Sequence, residues 1–213
     1  MGAIEVRRSG GTPRSKRGAG SKQREPAEDV DAWLEAISPA NTQTARREHA
    51  FRHLMLQARQ DPQPLLDRWD VLAHLLRTRK AFSLYPTVHI LAALVPADSR
   101  GRFERNFSAY FALLDDEAIS VAAHVAQLAA GIALARPKLQ RRIIRRLLAT
   151  DRSHFDAERR GLLGSYALQS LEAIYGQLPT PRPILGFARR LLQSPSPRAR
   201  KAAKSFLRMH DRA

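Results

Sequence analysis

Cysteine is missing altogether from this 213-residue chain. Its absence rules out disulfides and thiolate metal sites, and it fits a reducing compartment. Aromatic residues are also scarce, at 7%. Much of the apolar content is instead Ala and Leu, which cost little side-chain entropy in a helix and suit closely packed helices. Residues 1–30 contain no apolar run of the kind a secretory signal needs, and Glu5, Glu25, Glu28 and Asp29 interrupt the basic residues of a would-be transit peptide. No uncharged apolar stretch of about 18 residues occurs either, so no membrane span is expected. The expected location is the cytoplasm.

Acidic residues are the other shortage, and they are short at one end. Residues 31–135 hold eleven Lys/Arg and eleven Asp/Glu, whereas residues 136–213 hold eighteen against five. The formal charge of +16 is therefore concentrated in the C-terminal third, which is the form an electrostatic footprint takes. Thirty of the 36 basic residues are Arg. A compositional bias alone would spread them evenly along the chain.

Residues 1–28 are rich in Gly, Ser, Pro, Lys and Arg and nearly empty of large apolar residues. Such a segment buries too little surface to offset its ordering entropy, so a disordered basic tail is expected there. From Asp29 the pattern turns helical, with Pro and polar clusters every 12 to 20 residues and no strand-like alternation. The expected helices are Val30–Ile37, Thr42–Gln60 capped by Asn41 and Thr42, Leu65–Lys80, and Ser83–Leu94 with Pro86 in its first turn. Three pairs follow: Arg102–Leu114 with Glu117–Leu134, Pro137–Ala149 with Phe155–Tyr175, and Pro183–Leu192 with Pro197–Met209. Pro137, Pro183 and Pro197 each fall just inside a helix start, where a fixed φ is already helical.

Laid over one another, the second helices repeat. Leu191 to Leu207 reads LLQSPSPRARKAAKSFL: an apolar helix end, a polar turn, Ala199-Arg200, Ala202-Ala203, then Phe206-Leu207. Leu113 to Ala129 has the same outline with acidic residues in the turn, and Leu163 to Leu171 keeps the small and apolar spacing. This pattern resembles the HEAT repeat, in which small residues at the centre of the second helix let neighbouring repeats approach. The resemblance covers roughly residues 64–210, with the best repeats at 100–135, 137–178 and 183–210. It implies an all-α domain over residues 29–213, a short α-solenoid of antiparallel helix pairs. A compact, non-repeating helical bundle is the alternative architecture.

Two basic groups are the candidate contacts for a polyanion or protein partner. In KLQRRIIRRLL (Lys138 to Leu148), Leu139, Ile143, Ile144, Leu147 and Leu148 form the expected buried stripe. Arg141, Arg142, Arg145 and Arg146 then project from the opposite side. Four guanidiniums on one face suit phosphates; a solvated face neutralised by Asp151, Asp156 and Glu158 is the competing reading. On the last helix Arg198, Arg200, Lys201, Lys204 and Arg208 form the second group, to which Arg189 and Arg190 add. A polar cap on a terminal repeat explains polarity there but not the single sign of the charge.

Nothing else reaches a catalytic pattern. His49 and His53 stand four apart without the further ligands a zinc site needs. His124 lies in an apolar run and reads as a core or groove histidine. Asp115, Asp116 and Glu117 suit the helix N-terminus that follows them. No metal, cofactor or catalytic residue is expected.

The HEAT resemblance implies a non-enzymatic scaffold that grips a protein through its concave surface. The charge points to an alternative, a nucleic-acid-binding protein contacting the phosphate backbone through its C-terminal repeats. Some alkylpurine DNA glycosylases are also built from HEAT-like repeats, but their aromatic and acidic residues find no counterparts here: Trp33 and Trp69 lie in the N-terminal half, away from the charge. An enzyme is therefore not expected.

Overall fold

The computed structural model describes residues 29–177 and 182–211. The tail expected over residues 1–28 lies outside them. The described residues form eleven α-helices and no strand. They are α1 (Val30–Ala36), α2 (Thr44–Gln60), α3 (Gln63–Asp67), α4 (Trp69–Arg77), α5 (Ala81–Leu94), α6 (Arg102–Ala112), α7 (Ile119–Ala135), α8 (Gln140–Leu148), α9 (Ala157–Ala173), α10 (Arg182–Leu191) and α11 (Pro197–His210). None of these is long and apolar enough to cross a membrane.

Most boundaries follow the sequence pattern, and the departures have local causes. The stretch expected as one helix from Leu65 is two, α3 and α4, separated at Arg68 (φ −105°, ψ 23°). Arg68 is held there by a two-point ion pair with Asp31, Nε to Oδ1 at 2.5 Å and Nη2 to Oδ2 at 2.7 Å. At the start of α2, Gln43 rather than Asn41 or Thr42 is the N-cap. Asn41 instead ties the preceding loop together, donating to the Ala36 carbonyl and accepting from the Gln43 N–H. Helix α5 begins at Ala81, earlier than expected, so Pro86 falls inside it and has no N–H for the Phe82 carbonyl. Pro137 opens a short 3-10 turn (Pro137–Leu139) that runs into α8, while Pro183 and Pro197 sit at the starts of α10 and α11.

The helices pack in two rows. The long helices α2, α5, α7, α9 and α11 pack side by side in that order. The shorter α4, α6, α8 and α10 form a second row: α4 packs on α6 and α8 on α10. Between α6 and α8 the contact runs through Arg142, whose guanidinium lies 3.9 Å from the Phe107 ring centroid. The rows join through α4 on α5, α8 on α7 and α9, and α10 on α9 and α11. One core runs between them, from Leu54 and Leu72 through Ile90, Tyr110, Val125 and Leu168 to Phe187 and Phe206, all but fully buried.

Small residues set the closest approaches. Ala122, Ala126, Ala129 and Ala133 of α7 are buried, as are Gly164, Ala167 and Ser170 of α9, which packs on α7. The backbones come near enough for the Ser170 hydroxyl to donate to the Ala126 carbonyl at 2.6 Å. Gly161 and Gly164 do the same work toward the C-terminus. A Cβ at Gly161 would lie 2.0 Å from Ser194 Oγ, and one at Gly164 would lie 2.7 Å from a Leu191 methyl.

The polar links between neighbours recur at a nearly constant step. At the ends where a short helix passes into its long one, Arg79 pairs with Asp116 (37 residues apart), Asp115 with His154 (39) and Asp151 with Arg190 of the last turn of α10 (39). At the other helix ends, Arg136 donates to the Asp98 carbonyl (38) and Gln140 to Gln177 (37). Two rails of turn-to-turn contacts thus flank the rows.

Candidate binding surfaces

The eleven basic candidates fall on three helices and meet different fates. On α8, Ile143 and Leu147 are fully buried, while Ile144 and Leu148 are only half-buried. The four arginines do not project as one group. Arg142 turns onto Phe107, and Arg146 donates to the Phe111 carbonyl at 2.7 Å, so both lean on α6. Arg141 and Arg145 stand exposed. No carboxylate among the described residues lies within ion-pairing distance of any of the four. Two of the acids that could have neutralised them are engaged elsewhere: Asp151 pairs with Arg190, and Asp156 caps α9 while facing Arg159.

On α10 both candidate arginines are paired, Arg189 with Asp211 at 2.6 Å and Arg190 with Asp151 at 2.7 Å. On α11 the Arg198 guanidinium lies 4.3 Å from the Tyr166 ring centroid. Arg200 donates to the carbonyls of Ser194 and Pro195 at 2.7 Å each, so it serves the turn before its own helix. Lys201, Lys204 and Arg208 remain exposed. The α8 group belongs to the short row and the α11 group to the long row.

The sequence pattern did not single out the centre of the long row. The 14 residues of α5 and the 17 of α7 include no Asp, Glu, Lys or Arg. Their open faces carry Tyr85, His89, Ala92, His124, Gln127, Gly131 and Leu134, all exposed or half-buried. Tyr85 is 39% and Leu134 45% exposed, and a Cβ placed on Gly131 would meet nothing within 4 Å.

Four rings meet where α2, α5 and α7 adjoin. Tyr85 lies 5.2 Å from Phe51, 4.9 Å from His89 and 4.8 Å from His124 between ring centroids. His89 Nε2 and His124 Nδ1 are 3.3 Å apart, so one ring donates to the other and the contact requires at least one neutral imidazole. Desolvation, with the neighbouring His124, lowers the His89 pKa to about 4, and desolvation also lowers that of His124. Both rings are therefore neutral near pH 7. The signal available in sequence was the step of 35 residues between them.

His49 and His53 are also in ring contact, with centroids 4.4 Å apart, and His53 stacks on Trp33 at 4.8 Å. Among the described residues no group of three or more His, Asp or Glu side chains is placed to hold a metal ion. In the acidic cluster, Asp116 is buried and accepts the Ala118 N–H at the start of α7, as its position before a helix suggests. Asp115 turns sideways to His154 instead. No protein-family model matches this chain, and no match to it occurs among curated proteins or solved structures.

Proposed function

We propose that this chain is a non-enzymatic helical-repeat scaffold of the HEAT type, a short solenoid that binds a protein segment along the open, concave face of its long-helix row. The repeat part of this reading draws on the links that step by 35 to 39 residues and on packing that runs from each helix to its row neighbour.

One observation carries the binding part. A solvated helix face is normally polar, yet α5 and α7 lack any charged residue and still expose Tyr85 beside His124 and, further along α7, Leu134 one turn from the open backbone at Gly131. Apolar surface left open at the centre of an array marks a contact surface. Exposed cations flank it, Arg52 and Arg59 on α2 and Lys201 and Lys204 on α11. An apolar segment with acidic flanks fits that arrangement.

A photo-crosslinking residue placed at Gln127 or Leu134 tests the reading in cells, with Arg105 on the opposite row as control. Partner peptides are expected at the first two positions, and Leu134→Glu is expected to abolish them. Crosslinks that are equally abundant at position 105, or that survive Leu134→Glu, would sink it.

A further inference from the structure

The short-helix row carries charge of a different kind, independent of the protein-partner reading. Ordinarily an arginine fixed on a protein surface is fixed by a carboxylate, which also cancels its charge. Arg189 and Arg190 follow that pattern. Four arginines across α4, α6 and α8 do not, because neutral groups hold each of them. Arg77 donates to the Asn106 side-chain oxygen at 3.3 Å and Arg105 to the Arg100 carbonyl at 2.9 Å. Arg142 rests on the Phe107 ring and Arg146 on the Phe111 carbonyl. Arg141 and Arg145 add two exposed guanidiniums on the same helix. The acids of these three helices are Asp70 and Glu104, and Glu104 faces Arg136 at 3.5 Å. Six charges are thus placed, four of them oriented, with no carboxylate of the described residues at ion-pairing distance, although Arg146 is near enough to Asp115 to lower its pKa.

We infer that the open face of α4, α6 and α8 is a docking surface for the phosphate backbone of a nucleic acid. Guanidinium groups hold phosphate oxygens in bidentate fashion, and orienting them beforehand reduces the entropy lost on binding. Arg141 and Arg145, like Arg142 and Arg146, are spaced about 6 Å along the helix axis, close to the step between successive phosphates of one strand. The packing of α4 on α6 and the reach of Arg142 and Arg146 from α8 to α6 carry the charge laterally across three elements, which suits a uniformly charged polymer. An anionic membrane fits less well, since a helix lying in a lipid surface needs an apolar face to sink. Of the three helices only α4 exposes a large hydrophobic side chain, Val71, and one such residue does not make an apolar face.

The test is fluorescence anisotropy of the full chain with short labelled single-stranded RNA, single-stranded DNA and duplex DNA, at about 50 and 200 mM salt. Sedimentation with phosphatidylserine vesicles runs beside it. Binding to nucleic acid that weakens steeply with salt is expected. Arg141→Gln with Arg145→Gln should lower affinity about tenfold at the lower salt and make the log–log salt dependence shallower by about two. These side chains are exposed, so the double variant should fold, which its circular dichroism will verify. Lys201→Gln with Lys204→Gln on the long row, and Leu134→Glu, should bind as the parent does. Four results would overturn the proposal: no nucleic-acid binding at the lower salt, unchanged affinity in the α8 variant, an equal loss in the α11 variant, or stronger binding to vesicles than to nucleic acid. None of these bears on the protein-partner reading, which Leu134→Glu tests separately.

Discussion

One carboxylate oxygen of Asp115 receives two hydrogen bonds from His154, from its backbone N–H at 2.9 Å and its ring Nδ1 at 2.7 Å. The two residues belong to turns 39 positions apart, so this contact fastens one helix pair to the next. The same bonds, with His154 and Arg146 as nearby charges, hold the Asp115 carboxyl below its ordinary pKa.

Asp115→Ala should therefore destabilise the fold by about 1 kcal/mol, the usual worth of such hydrogen bonds at an accessible site. The sign with pH follows from the lowered pKa. The contribution is complete above the unfolded carboxyl value of 3.8 and fades as pH falls below it. Urea unfolding of parent and variant at neutral pH measures the difference, and identical midpoints would show the link to be idle.

Glycine substitutions should split by position. In an exposed helix interior, Gly→Ala gains roughly 0.5–1 kcal/mol by restricting the unfolded chain. Gly131→Ala should show that gain, because its Cβ meets nothing. At Gly161 the new methyl would collide with Ser194 Oγ and Ser196 Cβ, and at Gly164 with Leu191. Both changes should lose about 1–3 kcal/mol through overpacking. Thermal melts of the three variants decide the matter, and a shared sign would contradict the packing of α9 against the α10–α11 turn.

The histidine pair predicts acid sensitivity. His89 has a depressed pKa in the folded chain, so the unfolded chain takes up more protons between pH 6.5 and about 4. Stability is complete above pH 6.5 and is lost as pH falls through that window. The melting temperature should drop across it by roughly 2–4 °C for each kcal/mol lost, and His89→Gln should flatten the drop. An equally steep profile in the variant would assign the sensitivity to other groups.

Asp98 supplies a fourth case. It is almost fully buried, and its Oδ2 accepts the Phe103 N–H at 2.8 Å at the start of α6. Asp98→Ala leaves that buried donor unsatisfied and should cost about 1–2 kcal/mol. Asp98→Asn keeps an acceptor and should recover part of it, as hydrogen–deuterium exchange at the Phe103 amide would show.

The helices and several of their starts were legible in the residue pattern because their causes are local. Pro197 begins α11 directly after Ser196, whose hydroxyl caps it by accepting the Ala199 N–H, and the apolar period follows within one turn. Much of what escaped depends on distant partners. The break at Arg68 is fastened by Asp31, 37 residues earlier. The arginines of α8 look equivalent in sequence, yet Phe107 and Phe111 of another helix draw two of them aside. Arg200 escaped although its partners are local: it reads as surface charge until the carbonyls of Ser194 and Pro195, six and five residues earlier, are seen to use it. The open face of α5 and α7 escaped for another reason: a charge-free helix looks buried until its neighbours prove too few to cover it.

The turn-to-turn rails have a mechanical consequence. Each link reaches only the adjoining turns, and along the long row α2 meets α5, α5 meets α7, α7 meets α9 and α9 meets α11, with the short row packed alongside. A change made at one joint is therefore met first by the two helices that adjoin it, and only through them by the rest of the row.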